Sequence, residues 1–209
     1  MDGIKFFKNI PTRYKRSLIY TRLGYEKTNT RIEYDRKRQV EKWINEAEAL
    51  CDVCIIYRTA EITGRERDLV ILDSKEKITS SSLAALVRHS NEAVLMAATS
   101  GHRITNEIKR LQQAGEMTKA LVYDAAASEI TDAGLDWLMG FLKQQFLRSG
   151  KVLTPMRYSP GYGDLDLSYQ ELFYRWLNLE QWGVELTDRY MLIPEKTVTA
   201  IVGIESLIN

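Results

Sequence analysis

The segment 117–149, MTKALVYDAAASEITDAGLDWLMGFLKQQFLRS, has the pattern of a long helical block. Apolar residues at helical spacing form a stripe along its second half: Leu135, Leu138, Met139, Leu142 and Phe146. Gly150 follows the segment, and glycine commonly comes directly after the last turn of a helix. The sequence therefore predicts either two helices or one bent helix at this point of the chain.

Segments typical of strands lie on both sides of this block. They are rich in aliphatic and β-branched residues and are predicted over 53–57, 68–72, 93–98, 184–186 and 197–202. Gly64 is predicted to supply the turn between the first two strands. Strands at both ends of a helical centre, without a regular βαβ alternation, favour one α+β domain over residues 1–209. Its sheet should be mainly antiparallel, with helices packed against it.

Other helices are predicted from apolar periodicity and from capping residues. One spans about 36–50, a short one spans 79–90, and a third contains the apolar face of 104–111. Ser168 is predicted as the N-cap of a further helix, with Glu171 completing a capping box.

The composition is that of an ordinary globular protein, since 44% of the 209 residues are hydrophobic and 27% are charged. A net charge of +1 gives no overall field that would attract nucleic acid or a membrane surface, so neither is expected as a partner. The chain has only two cysteines and no segment typical of a secretory signal or a membrane span, which predicts a cytoplasmic location. Cys51 and Cys54 form a lone C-x-x-C pair, and the two histidines lack metal-ligand spacing, so no metal site is expected.

Basic residues crowd the first forty positions: Arg13, Lys15, Arg16, Arg22, Lys27, Arg31, Arg36, Lys37 and Arg38. Tyrosines are interleaved with them, and this pattern can serve RNA binding. Because no RNA-binding motif accompanies the basic residues, a docking face for an acidic protein partner is favoured.

The loop Arg157-Tyr158-Ser159-Pro160-Gly161-Tyr162-Gly163-Asp164 is the most informative stretch for function. Its Pro-Gly dipeptide suits the two central positions of a type II turn. An arginine fork can hold a carboxylate in two parallel hydrogen bonds, and a tyrosine face can stack on a flat base. These groups suit a zwitterionic nucleoside such as S-adenosylmethionine (AdoMet). The alternative is an ordinary surface turn that only connects two elements.

Asp132 and Asp136 lie four residues apart in the helical block, so both carboxylates share a face of a helix. Like charges at this spacing are mildly destabilising, and a pair can be kept to bind an ammonium or sulfonium group. The alternative is a solvated acidic face near a helix start.

Three motifs together resemble the activation domain of cobalamin-dependent methionine synthase. The first is the R-x-S-P-G-Y run of 157–162, followed by Asp164. The others are the G-V-E-L-T run of 183–187 and the M-L-I-P-E-K-T-V run of 191–198. The resemblance is strongest over 115–205, and it implies one α+β domain with a twisted antiparallel sheet.

The resemblance also implies a function. Members of this family bind AdoMet and dock on a cobalamin-bearing domain whose cofactor has been oxidised to cob(II)alamin. An electron arrives, typically from flavodoxin, and the AdoMet methyl group traps the reduced cobalt as methylcobalamin. The chain has no cobalamin-binding D-x-H-x-x-G motif.

An accessory subunit of a methyltransferase is therefore expected, one that reactivates methionine synthase in trans and is inactive alone. Its cofactor would be AdoMet, with cobalamin supplied by the methionine synthase core or by another corrinoid protein. The alternative is a non-enzymatic docking module that caps or primes a corrinoid methyltransferase without using AdoMet.

Site residues follow from the same resemblance. Arg157 would grip the AdoMet carboxylate, and either Asp132 or Asp136 would match a helical acid of the family. Backbone would bind the adenosine or the amino group around three residues: Tyr158, Ser159 and Gly161. Tyr162 would also bind AdoMet, since it would lie against the ligand near the cobalt-facing side. The cobalamin-facing residues would be Tyr162 and Gly163. Gly163 stands where the family has proline, which predicts a looser loop.

Overall fold

The computed structural model describes residues 3–25 and 33–207 of the chain. The helices within these ranges are α1 (Arg16–Arg22), α2 (Tyr34–Leu50), α3 (Ser81–Leu86), α4 (His102–Gln113), α5 (Met117–Leu147) and α6 (Gln170–Trp176). The strands are β1 (Lys5–Lys8), β2 (Cys54–Arg65), β3 (Leu69–Leu72), β4 (Glu76–Thr79), β5 (Ser90–Thr99), β6 (Lys151–Leu153), β7 (Glu185–Leu186), β8 (Leu192–Ile193) and β9 (Thr197–Ser206).

One antiparallel sheet organises the fold. Its strands follow the order β4-β3-β2-β5-β9-β6, and β1 pairs with the first part of β2 beside β3. Every pairing is antiparallel, and β7 and β8 form a separate two-stranded hairpin. The predicted α+β class with an antiparallel sheet is therefore confirmed.

Both faces of the sheet are buried, because helices cover each of them. Along β5 the side chains alternate, so Leu95 packs with α6 residues such as Phe173, while Met96 packs with α5 residues such as Leu138. A third apolar cluster joins α1, α2, α4 and the first half of α5. The core thus has a sheet at its centre and a helical layer on either side.

The helical block is one continuous helix of 31 residues. Gly134 lies where α5 crosses the sheet, and a Cβ at this position would lie 3.4 Å from Val53 Cγ1 and 3.5 Å from Ala98 Cβ. Both distances are ordinary van der Waals contacts, so α5 lies directly against the sheet at this position.

Two local predictions were wrong. Gly64 lies inside β2, where a bulge shifts the register with β3, and the chain turns after Arg65 instead. Ser168 is not the N-cap of a helix. Asp166 accepts a hydrogen bond from the Ser168 N–H at 2.8 Å and starts a 3₁₀ turn, from which α6 continues at Gln170. A carboxylate two residues earlier takes the role that the pattern assigned to the hydroxyl.

Two residues of the N-terminal basic stretch form ion pairs with acids of this chain. Arg16 binds Glu41 and Asn45 on α2, while Arg22 binds the acids of α5. Lys27 and Arg31 lie outside the described residues. Two of the nine residues are therefore paired with this chain's own acids, and the docking face for an acidic partner stays a prediction.

Across 3–25 and 33–207, no helix has the length and apolar character needed to cross a membrane.

Candidate functional site

The loop 157–164 begins on the central sheet. The Tyr158 N–H donates to the Ile201 carbonyl at 2.8 Å, and the Ile201 N–H donates back to the Tyr158 carbonyl at 2.8 Å. This antiparallel bridge with β9 fixes the backbone immediately after Arg157. The arginine therefore leaves the sheet at a defined position.

The predicted type II turn is confirmed. The Tyr162 N–H donates to the Ser159 carbonyl at 3.2 Å, and Gly161 has a φ of +86°, as the third residue of such a turn requires. Pro160 is buried, and the Gly161 N–H donates to the Leu165 carbonyl at 2.8 Å. The turn thus rests on the core and raises Tyr162 into solvent, where its side chain is 69% exposed.

Gly163 does not loosen this loop, because its space is taken by the ring of Tyr158. Its φ is +54°, and a Cβ built on it would overlap the Tyr158 hydroxyl oxygen. Proline is excluded as well, since its φ is locked near −65°. The glycine that departs from the family pattern is therefore matched to a tyrosine that lies across it.

A chain of opposite charges joins the loop to α5. The Arg157 guanidinium binds Asp136, and its Nη2 lies 4.0 Å from Asp132 Oδ1. Arg22 of α1 approaches from the other side, with its Nη2 3.2 Å from Asp132 Oδ2, and it also binds Glu129. Asp132 is thus held between two guanidinium groups.

Burial and the two neighbouring arginines have opposite effects on the pKa of Asp132. Burial raises the pKa above its usual value, while Arg157 and Arg22 act in the opposite direction without cancelling the increase. Hydrogen bonding to Glu129 raises the pKa of Arg22. Both acids of α5 therefore pair with arginine, and the Asp136 carboxylate is at the same time largely exposed to solvent.

A cleft of about 180 Å³ opens beside this network. Its walls come from α1, α5, the loop and the start of β9: Arg22, Ser128, Thr131, Asp132, Tyr162, Glu195, Lys196, Thr197 and Val198. Arg157 does not line the cleft, but its guanidinium lies 4.0 Å from Asp132, which does. Two predicted site residues therefore line one cavity, and a third is joined to it.

The other predicted residues lie around the cleft and not in its wall. Tyr158 turns its hydroxyl away towards Asp164, 3.3 Å from that carboxylate, and Ser159 and Gly161 form the turn below Tyr162. Asp136 borders a second groove of about 520 Å³ whose lining includes Trp137 and Phe141. Gly163 is exposed next to Tyr162.

Lys196 and Arg22 are cleft residues that the sequence did not indicate. Lys196 Nζ lies 2.7 Å from Asp124 Oδ1 and donates to Ser128 Oγ at 2.9 Å. The lysine falls inside the M-L-I-P-E-K-T-V run, which marked its surroundings. Arg22 comes from a helix far away in the chain, and nothing in the local pattern of α1 indicates its contact with α5.

A polar row therefore runs along α5, with a member at every fourth residue: Asp124, Ser128, Asp132 and Asp136. Lys196 binds its first two members, and the two arginines bind its last two. A cationic group of a ligand can replace Lys196 or either arginine beside the row. An anionic group of a ligand can bind these three cations instead of the acids of α5.

The fit between Gly163 and Tyr158 gives a first prediction. Gly163→Ala should lower the free energy of unfolding by about 1–2 kcal/mol, because alanine tolerates a left-handed backbone poorly and its Cβ meets the Tyr158 hydroxyl. In a Tyr158→Phe background the overlap disappears, since the ring carbon Cζ would lie an ordinary 3.4 Å from the new Cβ. Urea denaturation should therefore show a smaller loss for Gly163→Ala in that background. Equal losses in both backgrounds would rule out the hydroxyl as the obstacle.

The cysteines behave as core residues. Burial raises the pKa of Cys51 to about 12, so its thiol is protonated and unreactive at neutral pH. Among the residues that the structure describes, no group of three or more His, Cys, Asp or Glu side chains could hold a metal ion.

Comparison with known proteins gives a likeness in structure only. No protein-family model matches the chain, and no curated protein matches it. Among solved structures, the crystal structure of the MetH reactivation domain bound to AdoHcy is similar, with a TM-score of 0.72. The fold is that of this reactivation domain. The similarity covers 96% of this chain and 78% of the other, at 10% sequence identity.

Proposed function

We propose that this protein binds AdoMet and supports the reductive methylation of cob(II)alamin, and so reactivates a cobalamin-dependent methionine synthase. The observation that carries the proposal is the reactivation-domain fold, in which the R-x-S-P-G-Y loop and the acids of α5 come together beside one cleft. The solved domain was crystallised with AdoHcy, the demethylated form of AdoMet. This supports a site for the same class of nucleoside here.

Arg157 would bind the carboxylate of AdoMet. Its guanidinium already lies against two carboxylates, those of Asp136 and Asp132, so its position suits an anion. Binding would exchange one carboxylate partner for another. The released acids would then be free to face the ammonium or sulfonium group of the same ligand, which balances the charges locally.

The backbone of the turn has fewer free donors than the motif alone implies. The N–H groups of Tyr158 and Gly161 already donate to Ile201 and Leu165. Contacts to the adenosine or amino group would therefore come from the Ser159 N–H and hydroxyl and from carbonyl oxygens of this stretch.

Tyr162 and Gly163 would face the cobalamin. Both residues are exposed, and the turn raises the Tyr162 ring above its surroundings. An exposed aromatic ring beside a cleft suits contact with a large flat partner such as a corrinoid.

The contribution of this chain would be positioning. AdoMet supplies a sulfonium methyl group, and the cobalamin supplies a reduced cobalt that accepts it. The side chains around the cleft bind and orient the ligand, and no general acid or base is needed from them. The cobalamin would be carried by a methionine synthase core or another corrinoid protein, and the electron would come from a flavodoxin-type donor.

Reconstitution tests the proposal directly. We expect this protein, mixed with AdoMet, a chemical reductant and a cob(II)alamin-loaded methionine synthase core, to produce the methylcobalamin spectrum and one equivalent of AdoHcy. Omission of this protein or of AdoMet should abolish the change. Methylcobalamin that forms equally fast without this protein, or that never forms with any corrinoid partner tried, would refute the function.

A docking module that does not use AdoMet is a second candidate. Its support is the pairing of Arg157, whose charge is already balanced by Asp136 and Asp132. Equilibrium dialysis separates the two functions. Absence of AdoMet binding, with and without the corrinoid partner, would favour the docking module.

A further inference from the structure

Asp164 connects the binding loop to the start of α3. Its carboxylate accepts hydrogen bonds from the Ser80 hydroxyl at 2.7 Å, the Ser81 hydroxyl at 2.6 Å and the Ser81 N–H at 2.7 Å. The Ser82 N–H donates to it at 3.1 Å. These donors lie more than eighty residues away in sequence, so the contact is a tertiary link and not a local turn.

The two carboxylate oxygens of Asp164 accept hydrogen bonds from different donors. Oδ1 accepts from the Ser80 hydroxyl and from the Tyr158 hydroxyl, the latter at 3.3 Å. Oδ2 accepts from both donors of Ser81 and from the Ser82 N–H. Every partner is a donor, and these bonds hold the pKa of Asp164 well below its usual value.

The loop is therefore fastened at both ends. At its start, Tyr158 pairs with Ile201 on β9, and at its end Asp164 is attached to α3. Tyr158 also lies across Gly163 and reaches Asp164, which closes the loop on itself. Between these points only the turn that carries Tyr162 projects into solvent.

We infer that Asp164 is a positioning residue for the proposed AdoMet site, and that it holds the loop so that Tyr162 lies at the cleft while Arg157 lies against the acids of α5 beside it. The inference rests on the proposed function. Asp164 touches neither the cleft nor the arginine network, so it acts through the loop. A binding loop ordered before its ligand arrives loses less conformational entropy on binding, and this raises affinity.

Asp164→Asn tests the link, because it removes the negative charge that strengthens every one of these hydrogen bonds. An asparagine oxygen can still accept from the Ser81 and Ser82 donors, while its NH₂ group faces the Ser80 and Tyr158 hydroxyls, so the shape of the side chain is kept. We expect AdoMet affinity to fall about 10-fold in calorimetric titration, the effect of losing a hydrogen bond to a charged group. Backbone amides of 158–165 should exchange faster in deuterated buffer, with or without AdoMet.

Asp166→Asn is the matched control. Asp166 is an exposed aspartate of the same segment whose carboxylate accepts from the Ser168 N–H, but it does not contact α3. This variant should keep the AdoMet affinity and the amide exchange of 158–165 that the unaltered protein shows. A second variant, Ser81→Ala, removes one donor while the carboxylate stays, so it should move both readouts in the same direction by less.

A double variant separates positioning from general loss of structure. If Asp164 acts by orienting Arg157, Asp164→Asn should add little to the affinity loss of Arg157→Ala. Losses that multiply, or loop amides that exchange at the unaltered rate in Asp164→Asn, would overturn the inference. Absence of AdoMet binding by the unaltered protein would instead overturn the proposed function, and amide exchange would still decide whether Asp164 holds the loop.

Discussion

Arg157→Ala is expected to weaken AdoMet binding about 10- to 150-fold, because a hydrogen bond to a charged group contributes about 1.5–3 kcal/mol. The guanidinium is 25% exposed and lies against α5, and the sequence of 157–164 contains no second lysine or arginine that could take its place. Arg157→Lys should also lose affinity, since an ammonium cannot form the two parallel bonds of the fork. Calorimetric titration measures both effects.

Arg148→Ala provides the control for this experiment. Arg148 is an exposed arginine at the C-terminal end of α5, away from the loop. Its replacement changes the net charge by the same amount and should leave AdoMet affinity unchanged. An Arg157→Ala protein that binds AdoMet as tightly as the Arg148→Ala protein would remove the proposed role of Arg157.

Phe173→Ala is expected to lower the free energy of unfolding by about 3–5 kcal/mol, the usual cost of emptying a fully buried phenylalanine site. The side chain is 0% exposed and packs in the cluster that joins α6 to the sheet. Because domains of this kind have about 5–15 kcal/mol of total stability, this loss is a large share of it. Urea denaturation followed by circular dichroism measures the change.

Phe6→Ala is the matched comparison. Phe6 is 53% exposed on β1 and contacts Trp182 with ring centroids 4.5 Å apart. Loss of this exposed pair should cost no more than about 1.5 kcal/mol. Equal losses for the two phenylalanines would show that α6 does not form part of the core.

The parts of the structure that were predictable are those decided by neighbours in sequence. The type II turn needs only Pro160 and Gly161, and α2 and α4 follow from their apolar spacing. The strand β2 was predicted only over 53–57, with the turn placed at Gly64, because a glycine favours a turn when read alone. In the protein, pairing with β3 and β5 carries the strand past it with a bulge.

The loop, the two acids and Arg157 of the candidate site were predictable, but Arg22 and Lys196 were not. Asp132 and Asp136 lie on the same helix as expected, yet their spacing could not distinguish an acidic surface from an ion-paired network. Arg22 forms an ion pair with Asp132, and the packing of α1 on α5 brings it there. Sequence patterns within single elements hold no information on such contacts.

The polar row of α5 lies on a single uninterrupted helix, so the distances between its members are fixed. Asp124 and Asp136 are separated along the helix axis by about 18 Å, because each residue adds 1.5 Å. No loop movement can change that length. The distance between the two sets of cations is shorter, because Lys196 reaches Ser128 and Arg157 lies 4.0 Å from Asp132, which is four residues or about 6 Å further along the axis. The helix, and not the loop, therefore fixes the spacing of the charges that a ligand would meet.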